Sequence, residues 1–234
     1  MENEQNTSSQ ESASAEDQSV APSTQPASAV DVILASGSPR RRELLEREGV
    51  EFSVRVSEVD ETLEPDLLAD PPEAAKKLAE RKAGAVVQEV LSGDYTGMAA
   101  ILGADTMVVC EGEIFGKPAS LSDAKRMLRR LAGTTHEVIT AVSVWLVAAP
   151  EPDQVSLGFR TFVDSAAVTF HELSDDQIVE YLRKGESFDK AGAYAVQGAG
   201  ADLVKHVQGD LDTVIGLPVK RLLEEFPDLK TSLA

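Results

Sequence analysis

The spacing of apolar and polar positions changes several times between residues 30 and 234, and each change predicts an element. VDVILAS (30–36) is a continuous, largely β-branched run and predicts a buried strand. A helix should follow. Ser38 stands as its N-cap, Pro39 takes the first helical position where a missing N–H costs nothing, Leu44 and Leu45 face a sheet, and Gly49 ends it. EFSVRV (51–56) alternates and predicts a second strand. Asp70, Pro71 and Glu73 then announce a helix running to about Leu91, with an apolar stripe of Ala75, Leu78, Ala79, Ala83 and Val86. AAILGAD (99–105) and MVVCEGEIF (107–115) predict two strands, the second turning back about Glu111-Gly112.

SLSDAKRMLRRLAG (120–133) is a capped amphipathic helix stopped by Gly133. VITAVSVWLVA (138–148) and GFRTFVDSAAVTFHEL (158–173) predict a long antiparallel pair, and SDDQIVEYLRKG (174–185) a short helix. DLVKHV and DTVIGLP are short strand candidates, and VKRLLEEF closes the pattern as a helix. Strands alternate with helices early and pair as hairpins late. That order predicts an α/β fold with a mixed β-sheet flanked by helices.

Residues 1–29 fit none of these periods: they are Ser/Ala/Gln/Glu-rich, with five acids, no lysine or arginine and no aromatic. Such a segment cannot bury enough apolar surface to offset its ordering entropy, so the expectation is a disordered acidic tail ahead of one domain, 30–234. The chain carries 40 acidic against 22 basic residues, and taking the tail's −5 from the net −18 leaves −13 on the domain. A field of that sign repels DNA and RNA, and leaves room only for a small anion held by a local cluster. Cys110 is the single cysteine, which excludes an intrachain disulfide framework and suits a reducing compartment. With no apolar leader and no run long enough to span a bilayer, the expected location is the cytoplasm.

Three stretches carry chemistry. In ILASGSPRRRELL (33–45) a strand passes through Ser36-Gly37-Ser38 into a helix, delivering unpaired backbone N–H groups, two hydroxyls and the positive end of a helix dipole to one place. Arg40 and Arg41 fall in that first turn, where a cation opposes the dipole unless an anion is bound. A plainer reading has Ser38 capping the helix and the arginines pairing with surface carboxylates. Lys82 is the second anomaly: it lies between Leu78 and Val86 on the apolar stripe and so points towards the sheet, or else snorkels out at the stripe's edge. Third, Asp105 ends the strand read in GADTMVV, the place where open α/β sheets bind ligands, and can take a proton from water, hold a metal, or merely cap a turn. Lys117 follows in a rigid Gly-Lys-Pro loop. Four cations with an acid at a strand end suit a polyphosphate and its metal. His136, His171 and His206 have no metal spacing with the cysteine, and no phosphate-loop signature occurs.

SGSPRR (36–41), Asp60-Glu61-Thr62, LAERKA (78–83), GADT (103–106), GKP (116–118), HEVITAV (136–142), DKAGAY (189–194) and GLP (216–218) together resemble, in order and spacing, the Maf family of nucleotide pyrophosphatases. The resemblance spans about residues 31–226. It implies an α/β fold related to the inosine-triphosphate pyrophosphatases, a homodimer, and hydrolysis of a nucleoside triphosphate to monophosphate and pyrophosphate with a divalent cation, Mg2+ or Mn2+. It further implies that Asp105 is the proton acceptor and that Ser36, Ser38, Arg41, Lys82 and Lys117 hold phosphate oxygens, with Glu61 as the candidate metal ligand. Arg40, Thr106 and Gln197 match the family's pyrimidine branch, which acts on dTTP and UTP. The chain departs from the family's pattern at Ser187, Ala195 and Thr213, which bears on base specificity. A rival from another class is a nucleotide-binding regulator of cell division in which hydrolysis is incidental.

Overall fold

A computed structural model describes residues 30–151 and 154–230, so the expected tail at 1–29 and the tip of the 149–157 turn lie outside the described residues. In chain order the elements are β1 (Val30–Leu34), α1 (Pro39–Arg47), β2 (Ser53–Val54), α2 (Pro65–Leu68), α3 (Pro71–Leu91), β3 (Gly97–Cys110), β4 (Glu113–Phe115), α4 (Leu121–Leu131), β5 (Thr135–Glu151), β6 (Gln154–Phe170), α5 (Asp175–Arg183), β7 (Val204–Gln208), α6 (Leu211–Ile215) and α7 (Val219–Glu225). The strands form one mixed sheet in the order β2-β1-β3-β5-β6-β7, with β4 added to β3. β1 is parallel to β2 and β3, and every other pairing is antiparallel.

Local chemistry starts these helices where the sequence places them. Asp70 accepts the Glu73 N–H at 3.2 Å to open α3, Ser120 accepts the Asp123 N–H at 3.1 Å to open α4, and Ser174 with Gln177 forms a reciprocal capping box on α5. The β3–β4 hairpin turns at Glu111 and Gly112, both with positive φ, as a two-residue turn of matching twist requires. Ser38 is different: it occupies the cap position of α1 but its side chain makes no cap bond, which leaves the hydroxyl for other work.

Several boundaries differ from the sequence reading. EFSVRV keeps only Ser53–Val54 as strand, paired to the last two residues of β1 and exposed at the sheet edge. The two strands expected over 99–115 are a single β3 plus the short β4, because Asp105 and Thr106 stay in register with Ala141 and Thr140 of β5. DTVIGLP is not a strand: it contains α6, capped by Asp210, since so short an apolar run does not reveal its period.

One face of the sheet packs on α3 through Ile33, Ala83, Val86, Val87 and Ile101; the other packs on α1 and α7 through Leu34, Leu45, Leu102 and Leu222. Gly103 sits where α3 crosses β3. A β-carbon there would lie 2.3 Å from the Ala79 carbonyl oxygen, so only glycine lets the helix approach this closely.

The pairing leaves an opening. On one side β3 is paired with β5 from Gly97 to Val109; on the other, β1 stops at Leu34 opposite Leu102 and β4 stops at Phe115 opposite Val108. Both short strands run towards the gap, so their carboxyl ends meet there, flanking residues 103–107 of β3.

Candidate active site

The loops leaving β1 (35–38) and β4 (116–118) border this gap, and a cavity of about 630 Å³ opens between them. Every site residue expected from the sequence lines it. Asp105 lies within β3 rather than at its end, yet it projects where β1 has already stopped, so the expected placement at the carboxyl end of a strand is supplied by the neighbour.

Lys82 points inward from α3, as its place on the stripe predicts. Its Nζ lies 2.6 Å from Asp105 Oδ1 and 2.9 Å from Glu61 Oε1, so one ammonium holds two carboxylates. Burial pushes the Asp105 carboxyl above the ordinary carboxylate range, and the charges of Lys82 and Arg41 oppose that rise. Glu61 is also penalised by desolvation, but its hydrogen bond to Lys82, with the Lys82, Lys117 and Arg41 charges, brings it below the ordinary range. Glu61 sits on a loop fixed from behind. Arg81 reaches the carbonyls of Asp60 and Thr62 at 3.3 and 2.7 Å, and the Asp60 carboxylate accepts the Thr62 N–H at 2.8 Å. The adjacent residues Arg81 and Lys82 thus divide the work, one holding the loop and the other its carboxylate.

Arg41 is locked at three points. Its Nε donates to the Gly216 carbonyl at 2.8 Å, Nη1 to Ser36 Oγ at 3.0 Å and Nη2 to Thr106 Oγ1 at 3.3 Å. None of these partners is anionic; burial lowers its pKa and the nearby Asp105 raises it in opposition. Ser36 also accepts the Ser38 N–H at 3.3 Å, which leaves its own O–H to donate. The Nε of Arg40 is buried with no partner among the described residues, and the first turn of α1 has no acid. A helix start with two arginines and unpaired donors matches a bound anion. Lys117 and Gln197 are exposed at the rim.

The family departures lie mostly off the cavity. Ser187 and Thr213 are fully buried and do not line it, whereas Ala195 does. The sequence reading gave no role to Arg81, to Thr140 behind Thr106, or to the Asp189–Lys190 pair, which lines the cavity with a 2.6 Å contact. The LAERKA, HEVITAV and DKAGAY blocks held these residues in plain view. His136 lies in the core, its Nε2 2.7 Å from the Tyr194 hydroxyl.

Glu61 and Asp105 offer hard oxygen donors, and among the described residues no group of three His, Cys, Asp or Glu gathers to hold a metal alone. Two carboxylates fit Mg2+ or Mn2+, ions that take one or two protein carboxylates and complete their shell with water and substrate phosphates.

A mixed sheet opened at the carboxyl ends of its strands, with cations and a buried acid in the opening, defines an α/β protein of the phosphate-binding class. Residues 31–229 match the family described as Maf-like protein, and the chain belongs to the Maf family. It is 44% identical over 195 residues to a dTTP/UTP pyrophosphatase of Bacillus thuringiensis subsp. konkukian (strain 97-27), covering 83% of this chain and 93% of that one. It is 43% identical over the same length and shares to a dTTP/UTP pyrophosphatase of Bacillus anthracis (strain CDC 684 / NRRL 3495). The crystal structure of a nucleoside-triphosphatase, dITP/XTP pyrophosphatase, from Mycobacterium abscessus aligns over 85% of this chain and 94% of its own, at 10% identity and a TM-score of 0.36, too loosely to bear on function.

Proposed function

We propose that this protein hydrolyses nucleoside triphosphates, dTTP and UTP foremost, to the monophosphate and pyrophosphate. The observation that carries the reading is a buried Asp105 joined to Lys82 and flanked by Arg41, in a cavity with unpaired cationic donors at a helix start. A pure binder needs no such acid, and the site gives the regulator reading no separate support.

In this mechanism a water attacks the α-phosphorus and passes its proton to the Asp105 carboxylate. A bond forms from the water oxygen to phosphorus, and the bond from phosphorus to the bridging oxygen breaks, releasing pyrophosphate. Asp105, made more basic by burial, with the Lys82 and Arg41 charges opposing that rise, suits a general base. Arg41, Ser36, Ser38 and Lys117 hold phosphate oxygens; Lys82 orients the two carboxylates and faces the same charge. Gln197 and Arg40 meet the base, an amide offering both donor and acceptor to a pyrimidine edge, while Thr106 contributes through Arg41. Glu61 with Asp105 would hold Mg2+ or Mn2+, which when bound neutralises charge on the triphosphate.

Pyrophosphate release from dTTP, UTP, CTP, 7-methyl-GTP and ITP, wild type beside Asp105→Asn, tests this. The expected result is turnover of dTTP and UTP that vanishes in the variant with its fold intact. Retained turnover removes Asp105 as the base, and activity confined to another base removes the pyrimidine assignment. By the same family reasoning the protein is a homodimer, and light scattering that gave a single 25.0 kDa chain would refute the dimer; the lone Cys110 suits the cytoplasm. No helix among the described residues is long and apolar enough to cross a membrane.

A further inference from the structure

We propose that Thr140 is a positioning residue which, by fixing the direction of a buried hydroxyl relay, holds the Arg41 guanidinium in place at the cavity; its kinetic test rests on the function proposed above.

Thr106, Thr140 and Asp164 stand directly opposite one another on β3, β5 and β6. Thr140 donates its hydroxyl proton to the Thr213 carbonyl at 2.7 Å. A hydroxyl has one proton, so in its 3.0 Å contact with Thr106 it can only accept. Thr106 therefore donates to Thr140, and its free lone pair accepts Arg41 Nη2. Thr213 is itself held, its hydroxyl donating to the Asp164 carboxylate. Thr140 and Thr213 are fully buried, so water does not replace either bond. α6 thus grips Arg41 twice, through the Thr213 relay and through the Gly216 carbonyl that follows the helix. Without the Thr140 hydroxyl, the Thr213 carbonyl loses its donor and Thr106 is free to turn its proton towards Arg41.

The test compares Thr140→Val, which keeps the shape and removes the hydroxyl, with Thr140→Ser, which restores it. For dTTP the valine variant is expected to raise KM roughly tenfold, the order of one hydrogen bond to a charged group. A purely structural loss lowers the melting temperature and kcat together, whereas loss of the relay should raise KM with kcat little changed. Serine should return KM to the wild-type value. A folded valine variant with KM unmoved, or a serine variant that fails to restore it, overturns the proposal. Should valine not fold, Thr140→Cys, a weak donor of similar size, takes its place with the same expected direction. Hydrogen exchange of the Arg41 Nε–H, assigned by its loss in Arg41→Lys, needs no turnover. Faster exchange in the valine variant, restored by serine, supports the relay and equal exchange refutes it, even if the wild type hydrolyses no nucleotide and the functional reading falls.

Discussion

Replacing Lys82 by methionine keeps an unbranched apolar stem beside Leu78 and Val86 and removes the ammonium that contacts both Asp105 and Glu61. At contacts of 2.6 and 2.9 Å, and an effective dielectric constant of about 20, each pair attracts by roughly 6 kcal/mol before desolvation is counted. Glu61 is 49% exposed, so solvent screens its share heavily, while Asp105, 11% exposed, keeps most of its own. Leaving a buried charge without its partner costs about 3–5 kcal/mol, and the protein can escape that cost by protonating Asp105.

The expected result is therefore an upward shift in the acidic limb of kcat/KM, because the cation that opposed the effect of burial on Asp105 is gone. A protonated Asp105 cannot accept the water's proton, so activity falls below the limb. Stability carries the same sign. The folded-state pKa of Asp105 is raised, so the folded chain binds more protons and stability declines as pH rises from the ordinary carboxylate value through the folded one. Lys82→Met should widen that window. It should lie nearest wild type at acid pH and furthest from it above the folded pKa. Rates of pyrophosphate release and thermal melts, both from pH 4 to 9, measure the two effects. An unmoved limb together with a pH-independent loss of stability would refute the reasoning.

Gly103→Ala places a methyl against the α3 backbone and should cost about 3 kcal/mol or more in chemical denaturation, with activity falling as the helix carries Lys82 away. Burial holds His136 down at about 4 against the ordinary 6.5, so stability should be lost as pH falls through that interval, by about 3 kcal/mol at its foot. His136→Phe should flatten this slope whatever it does to absolute stability, and an unchanged slope assigns the titration elsewhere. Arg81→Gln frees the loop that carries Glu61; kcat/KM should fall roughly threefold to tenfold, the size of one charged hydrogen bond, and half-maximal turnover should need more magnesium. Melting curves should barely move for the loss of these solvent-exposed bonds, and unchanged kinetics would show that the loop holds itself.

How much of this was legible depended on whether a signal is local. The caps at Asp70, Ser120 and Ser174 bond to atoms three residues away, and the helices they start were read nearly to the residue. For Lys82, helical periodicity leaves two directions, towards the sheet or out at the stripe's edge, and the structure shows the first. The continuity of β3 was not readable, because only its partner β5, more than thirty residues later, shows that Asp105 and Thr106 remain paired. Thr213 illustrates the opposite. As a departure from the family's pattern it is read as bearing on the base, yet it is fully buried off the cavity and bonded to Asp164. A motif marks that a position matters and cannot say which way its side chain faces. Arg81 and Thr140 stood inside quoted motifs and went unassigned because their partners are carbonyls and hydroxyls, which leave no mark on charge or periodicity.

The gap in the sheet also explains how the site divides its labour. Asp105 and Thr106 sit on a strand hydrogen-bonded to β5 along its whole far side, and Arg41 is tied to that strand and to the residue following α6. This floor cannot shift without breaking sheet pairing. Glu61, Lys117 and Gln197 instead come from segments outside the strands and helices, and all three are exposed. Loops open locally at far lower cost than paired strands, so substrate can enter by their displacement while the acid and Arg41 stay in place. Substitution of the charges that touch the floor acid should therefore change the pH profile, as argued for Lys82. Substitutions at Lys117 and Gln197 should change KM and leave the acidic limb where it was. A Lys117→Met variant that moved the limb as far as Lys82→Met would show that the division is false.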